Sequence, residues 1–179
     1  REMSRNITVF CSASKKLSSS YTKLAEAIGE ILVDNRYSLV YGGDTCGLMG
    51  KIAETMKRNS MEVIGVCIEK MYNEGRFYRR CDRIVLTENL SERKQQMIDL
   101  SEVIIVLPGG IGTINELLEV LVLIHLGLVK KKVIIINYMN FFGKFFAFID
   151  DLIEKEFIAF DIKNQLNVIE NIDELSLYL

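Results

Sequence analysis

Residues 102–108 read EVIIVLP, an apolar run without polar alternation that stops at the chain's single proline. Four more runs share its character: ITVFC at 7–11, SLVYGG at 38–43, EVIGVCI at 62–68 and KKVIIINY at 131–138. A strand that is apolar on both sides is buried on both faces, which is the pattern of a parallel sheet rather than of a half-exposed antiparallel one. Between these runs the apolar positions recur at helical spacing. Leu24, Ala27, Ile28, Ile31 and Leu32 mark a helix over about 20–35. Further helices are predicted over 47–59, 89–101, 113–128 and 145–157, with RIVLT at 83–87 as an additional strand. Asn89, followed three residues later by Glu92, is placed to cap the third of these helices. Beyond Asn164 come a short NVIE run and a last helical turn or two. Strands alternating with helices predict an α/β fold: a Rossmann-like, doubly wound, mostly parallel sheet with helices on both faces.

Length and charge narrow the reading. The 179 residues suffice for one domain with a sizeable core, so 1–179 is taken as a single Rossmann-like unit. A net charge of -2 gives no global positive field to recruit nucleic acid or an anionic membrane, though it leaves room for a local anion pocket. Cysteines 11, 46, 67 and 81 form no CxxC pair, and one histidine cannot complete a zinc set with them. They read as reduced thiols, mostly buried, of a cytoplasmic protein. No apolar stretch approaches the roughly 20 residues of a membrane span. REMSRN leads straight into the first strand, so no secretory leader is expected.

Ligands on such sheets bind beyond the carboxyl ends of the strands. Three strand-to-helix loops there are unusual: CSASKKLSSS at 11–20, YGGDTCGLMG at 41–50 and LPGGIGTINE at 107–116. In the last, Pro108 ends the strand because it has no N–H for a ladder. Gly109, Gly110 and Gly112 are expected to take positive φ and let the backbone approach a ligand. Thr113 offers a hydroxyl where the next helix begins, and the first amides of that helix have no partners of their own. The combination suits a phosphate; the plain alternative is a tight connection that needs glycine for packing. The second loop carries Leu48 where a Walker lysine is required, and Asn115 stands where GxGxxG needs its third glycine. A single monophosphate therefore fits better than a triphosphate or a dinucleotide. Glu116, read as lying in the first turn of its helix, either balances the helix dipole or faces the pocket. Arg93 and Lys94 open the preceding helix, and either form a solvated face or flank the phosphate cradle. His125, between Ile124 and Leu126, reads as a packed helix histidine.

These motifs resemble those of the "Lonely guy" family, cytokinin riboside 5'-monophosphate phosphoribohydrolases often mislabelled lysine decarboxylases. The family pattern PGGxGTxxE is met from Pro108 to Glu116 without a gap, and its Arg-Lys pair followed by methionine is met by Arg93, Lys94 and Met97. VYGG…GLMG at 40–50, VFC at 9–11 with the serines after it, and HLGLVKKKV at 125–133 extend the similarity over about 7–157. The resemblance implies hydrolysis of the N-glycosidic bond of a nucleoside 5'-monophosphate, with Glu116 and Arg93 as the catalytic pair. It implies that Lys94, Gly109, Gly110, Ile111, Gly112 and Thr113 hold the substrate, together with Ser14, Gly42 and Gly43 of the other two loops. Glu74 is the nearest match to an acidic residue the family carries before its fourth strand. No metal or organic cofactor is implied, and no lysine stands out for the Schiff base a pyridoxal enzyme needs. A homodimer is implied, to which the helix over 113–128 adds that it is apolar on most sides; a central helix inside one chain is the alternative. Asp44 stands where the family usually has a third glycine, and Ser12 and Ala13 replace the usual Gly-Ser, which bears on which base is bound. Similar folds also serve as non-catalytic carriers of a phosphorylated cofactor such as the molybdenum cofactor, and that is the alternative function.

Overall fold

The computed structural model describes residues 5–158 and 162–179. The first four residues, on which the reading of the amino terminus rests, lie outside them. The elements run β1 (Arg5–Phe10), α1 (Ser19–Asp34), β2 (Tyr37–Tyr41), α2 (Gly47–Arg58), β3 (Val63–Ile68), α3 (Glu69–Asn73) and β4 (Arg83–Thr87). They continue with α4 (Leu90–Asp99), β5 (Val103–Val106), α5 (Ile111–His125), β6 (Lys132–Ile136), α6 (Gly143–Glu154) and β7 (Leu166–Ile169). The seven strands form one sheet in the order β4-β3-β2-β1-β5-β6-β7, and every pairing is parallel. β1 lies between β2 and β5, so the chain winds outward from β1 first to one side and then to the other. The loops after β1 and β5 consequently diverge and open a crevice between them.

Alternation along each strand divides the core into two layers. Ile7, Val9, Leu39, Tyr41 and Ile105 pack with Leu24, Ile28 and Leu32 of α1 and Leu48, Ile52 and Met56 of α2. Phe10, Val40, Val66, Ile104 and Val106 point the other way, against Met97 and Ile98 of α4, Leu117, Val120 and Leu121 of α5, and Ile149 of α6. The one buried hydroxyl within β1 is matched: Thr8 Oγ1 donates to the Met97 carbonyl at 2.6 Å and accepts from Ser101 Oγ at 2.7 Å. That pair fixes the end of α4 to the middle of the sheet. At the other end of α4 Asn89 caps as expected, accepting the Glu92 amide at 2.9 Å. The return bond from Glu92 reaches the Glu88 amide at 2.8 Å.

Three differences from the sequence reading matter. α3 was not expected: five residues are too few to show a helical period, and none of them is buried. α5 begins at Ile111 rather than Thr113, with Gly110 extended at its N-cap, so Glu116 lies in the second turn. His125 is exposed rather than packed. The buried positions of α5 are 113, 116, 117, 120 and 121, and continuing that face at helical spacing puts 125 on its outer side.

Candidate active site

The carboxyl ends of β1, β2 and β5 enclose a cavity of about 290 Å³ lined by residues of all three loops, with Arg93, Glu116, Met71 and Arg76. Its floor is an ion pair. Arg93 Nη1 lies 3.2 Å from Glu116 Oε1, with Arg93 only 8% and Glu116 4% exposed. The guanidinium is held from two further sides, since Nε donates to the Val66 carbonyl at 2.9 Å and Nη2 to the Gly42 carbonyl at 3.2 Å. Arg93 thus ties β3, the β2–α2 loop and α5 together. The solvated-face alternative for Arg93 and Lys94 does not hold: both are buried on the side of α4 that carries Met97 and Ile98. The signal was present in the spacing, because residues four apart share a helix face.

Glu116 has one oxygen on Arg93, while Oε2 is buried without a hydrogen-bond partner. Burial pushes its carboxyl up to about 7, against the opposing pull of Arg93 and Lys94. A buried carboxylate with a free oxygen at the bottom of a cavity is poised to receive something from that cavity. Cys11 lines the same floor, but burial and the neighbouring Glu116 charge push its thiol far up, so it stays a neutral wall and not a nucleophile.

Beside this floor is the start of α5. The first bond closing the helix runs from the Ile114 amide to the Gly110 carbonyl at 3.0 Å, which leaves the amides of Ile111, Gly112 and Thr113 without partners inside the helix. Gly110, Gly112 and Thr113 line the cavity. The expected positive φ at Gly109, Gly110 and Gly112 is not found. A side chain on Gly109 would run into Thr113, and at Gly110 and Gly112 a Cβ would meet nothing within 4 Å. The last two glycines keep space vacant in front of bare amides. Ser12, for its part, takes no positive φ, so the serine there is unstrained.

The remaining sequence candidates separate by position. Gly42 lines the cavity and its carbonyl also holds Arg93, whereas Gly43 does not line it and its carbonyl accepts the Tyr78 amide at 2.7 Å. Ser14 and Gly109 face an adjoining apolar niche of about 310 Å³ walled by Leu17, Tyr21, Pro108 and Phe141. Lys94 is turned away from the cavity, donating to Glu119 at 2.8 Å and Asn115 at 3.4 Å. Glu74 is exposed at the end of α3, with Arg76 at 3.7 Å, and does not line the cavity. Met49 of the GLMG block lines the cavity; Met71 and Arg76 also line it and carried no signal in the sequence, because the short helix that presents Met71 left none. A larger open cleft of about 700 Å³ between α1 and α2 carries Lys23, Lys51 and Arg80, but Glu26 and Glu54 lie within it and Lys51 already faces both, at 3.9 and 3.7 Å. Among the described residues no group of three His, Cys, Asp or Glu side chains converges on a metal position.

A family model described as "Possible lysine decarboxylase" matches residues 49–179. The cytokinin riboside 5'-monophosphate phosphoribohydrolase LOG of Oryza sativa subsp. japonica is 34% identical over 163 residues, covering 91% of this chain and 67% of the relative. The chain belongs to the LOG family. LOG3 of Arabidopsis thaliana, named for the same activity, is 34% identical over 87% of this chain and 72% of its own. Across eight such relatives the chain spans between 62% and 74% of their length. Among solved structures, the molybdenum cofactor carrier protein of Chlamydomonas reinhardtii superposes with a TM-score of 0.74 at 18% identity, covering 98% of this chain and 96% of its own. The molybdenum cofactor binding protein of Rippkaea orientalis gives 0.72 at 20% identity, covering 99% and 96%. At such identity these two show that this chain shares their fold.

Proposed function

We propose that this protein hydrolyses the N-glycosidic bond of a nucleoside 5'-monophosphate, either a cytokinin riboside monophosphate or AMP, to the free base and ribose 5-phosphate. The observation that carries the proposal is the free Oε2 of buried Glu116 beside the bare amides of α5. Breaking C1'–N builds positive charge on the ribose, as in glycoside cleavage. A fixed carboxylate stabilises that charge, orients the ribose hydroxyls, or takes a proton from the attacking water. Water supplies the hydroxyl that ends on C1', and the base leaves carrying a proton. Arg93 fixes the carboxylate in place and favours its charged form. The phosphate does not react; held by the amides of Ile111, Gly112 and Thr113, it lends its binding energy to placing C1' over Glu116. No step calls for a metal or an organic cofactor. The deciding assay measures free base after incubation with AMP and with isopentenyladenosine monophosphate. Release of adenine or isopentenyladenine supports the proposal, and silence across purine and pyrimidine monophosphates removes it.

The alternative, a carrier of a phosphorylated cofactor such as the molybdenum cofactor, needs the same amides but has no use for the free oxygen of Glu116. A carrier keeps its ligand through purification and tolerates Glu116→Gln. The partners we propose are the nucleotide and a second copy of this chain, without nucleic acid or membrane surface. Leu118 and Val122 of α5, with Phe148 of α6 and Phe157, expose one apolar strip, and burying such a strip is what a homodimer does. Light scattering of the purified protein tests it, with a monomer mass as the adverse result. The unpaired state of all four cysteines favours a cytoplasmic location, which fractionation of the source cells checks.

A further inference from the structure

Arg93 and Lys94, adjacent on α4, both reach across to α5. Arg93 meets Glu116. Lys94, 9% exposed, donates from Nζ to Glu119 Oε2 at 2.8 Å and to Asn115 Oδ1 at 3.4 Å. Asn115 and Glu119 stand four apart and share one face of α5. The two ties are unequal. At 2.8 Å the Lys94 bond has the length of a full charge-assisted hydrogen bond, whereas Arg93 and Glu116 stand further apart, at 3.2 Å. Arg93 also divides its guanidinium between the Val66 and Gly42 carbonyls. The close contact that sets how α5 lies on α4 is therefore the one made by Lys94.

α5 carries both halves of the candidate site, the bare amides at 111–113 and the carboxylate of Glu116. Turning α5 about its axis would move both against the walls built on other elements, Ser12, Met49 and Met71 among them. Misplacing reacting groups by about 1 Å costs on the order of a hundredfold in rate. Lys94 itself does not line the cavity. Its charge is felt there all the same. Burial lifts the Glu116 carboxyl, and Arg93 and Lys94 from α4 pull it back, while the group facing it from the end of β1 is the neutral thiol of Cys11.

We propose that Lys94 is a positioning residue: it touches neither the nucleotide nor the reacting atoms, and its hold on Glu119 and Asn115 fixes the angle of α5 at which the bare amides and Glu116 address one substrate. This departs from the substrate-holding role that the resemblance implies for Lys94, and it rests on the hydrolase reading. Inorganic phosphate needs the amides alone, whereas AMP spans the amides and the floor, so the two ligands separate a brace from a binding lysine. In Lys94→Met, calorimetry should find phosphate binding within about twofold of wild type and AMP weakened about fivefold or more. Turnover of AMP above the Glu116 midpoint should fall roughly tenfold or more. The acid limb of kcat/KM should move up from near 7, because one of two cations is gone. A tie that served stability alone would move none of these in folded protein. Glu119→Gln, outside the cavity, keeps Lys94 and should still lower kcat about threefold or more, and the double variant should lose no more than Lys94→Met, since both cut one bond. Should Lys94→Met not fold, Glu119→Gln carries the kinetic and calorimetric tests. Phosphate binding weakened about tenfold in Lys94→Met would put the lysine on the substrate and overturn the proposal, as would a kcat within about twofold of wild type in Glu119→Gln. If the wild type cleaves no monophosphate, the hydrolase reading falls and calorimetry decides alone: AMP weakened with phosphate unchanged upholds the brace, and both unchanged removes it.

Discussion

Two glycine-rich loops face each other across β1, and Gly43 and Gly47 of the first differ from Gly110 and Gly112 of the second. After β2, Gly43 and Gly47 adopt positive φ, at +82° and +61°. At Gly47 a Cβ would lie 2.6 Å from the Ala13 carbonyl carbon and 2.7 Å from the Ser14 oxygen. The missing side chain there makes room for the protein itself. After β5 no glycine is left-handed, and at Gly110 and Gly112 a Cβ would meet nothing within 4 Å. The missing side chain there is not required by any neighbouring atom of the protein. One loop is shaped from within and the other leaves open space before bare amides, and Arg93 joins the first to the carboxylate that follows the second.

The largest effect should come from that junction. Glu116→Gln is expected to lower kcat on AMP by roughly a hundredfold or more, the scale on which a preorganised charge at a reacting centre acts. In the wild type, kcat/KM should fall on the acid side with a midpoint near 7, where Glu116 takes up its proton. Wild-type turnover in Glu116→Gln would falsify the role of the carboxylate. It would leave both loops as parts of a binding site.

The next two effects test the loops against each other. Gly47→Ala forces a left-handed alanine into occupied space, and should cost about 2–3 kcal/mol of stability in denaturant titration. Gly112→Ala places a methyl group in open space within the first turn of α5. It should leave stability unchanged or raise it by about 0.5 kcal/mol, while raising KM for AMP roughly tenfold by crowding the bare amides. Equal stability losses in the two variants would mean that both loops serve packing alone.

How far the sequence carried this distinction differs between the parts. The strand and helix alternation was legible because apolar runs and helical spacing record burial directly, and RIVLT, for one, is β4 residue for residue. The bare amides at the start of α5 and the place of Glu116 at the cavity were legible from spacing within one loop. Glycine itself is silent on whether it yields space to φ, to the protein or to a ligand, so the positive φ expected at Gly109, Gly110 and Gly112 lies instead at Gly43 and Gly47. The burial of Arg93 depends on acceptors at Val66 and Gly42, far off in the chain, although the shared face with Met97 pointed toward it. Lys94 stands beside Arg93 in sequence yet turns to Glu119, because successive helix positions diverge by about 100°. Glu74 matches the family only by lying before β4, and the five-residue helix ahead of it buries nothing that would fix its place.

The smallest expected signal is in stability against pH, and it separates a buried working carboxylate from a merely structural ion pair. A carboxylate held chiefly by its salt bridge has its folded value lowered, and its contribution is lost as pH falls. Glu116 is the reverse, since burial outweighs Arg93 and lifts its folded value to about 7. Between an unfolded value of about 4.3 and that point, the folded chain binds more protons than the unfolded one, so the contribution of Glu116 is fully present below about 4.3 and lost as pH rises through 7. The melting temperature of the wild type relative to Glu116→Gln should therefore decline from pH 5 to pH 7.5 and then level off. A phosphate-bearing ligand in the nest adds negative charge nearby and should move the end of the decline further up the pH scale. A difference that grows with pH over the same interval would mean that Arg93 dominates Glu116. The pair would then be a brace between two loops, and the free oxygen would have no proton to exchange near neutrality.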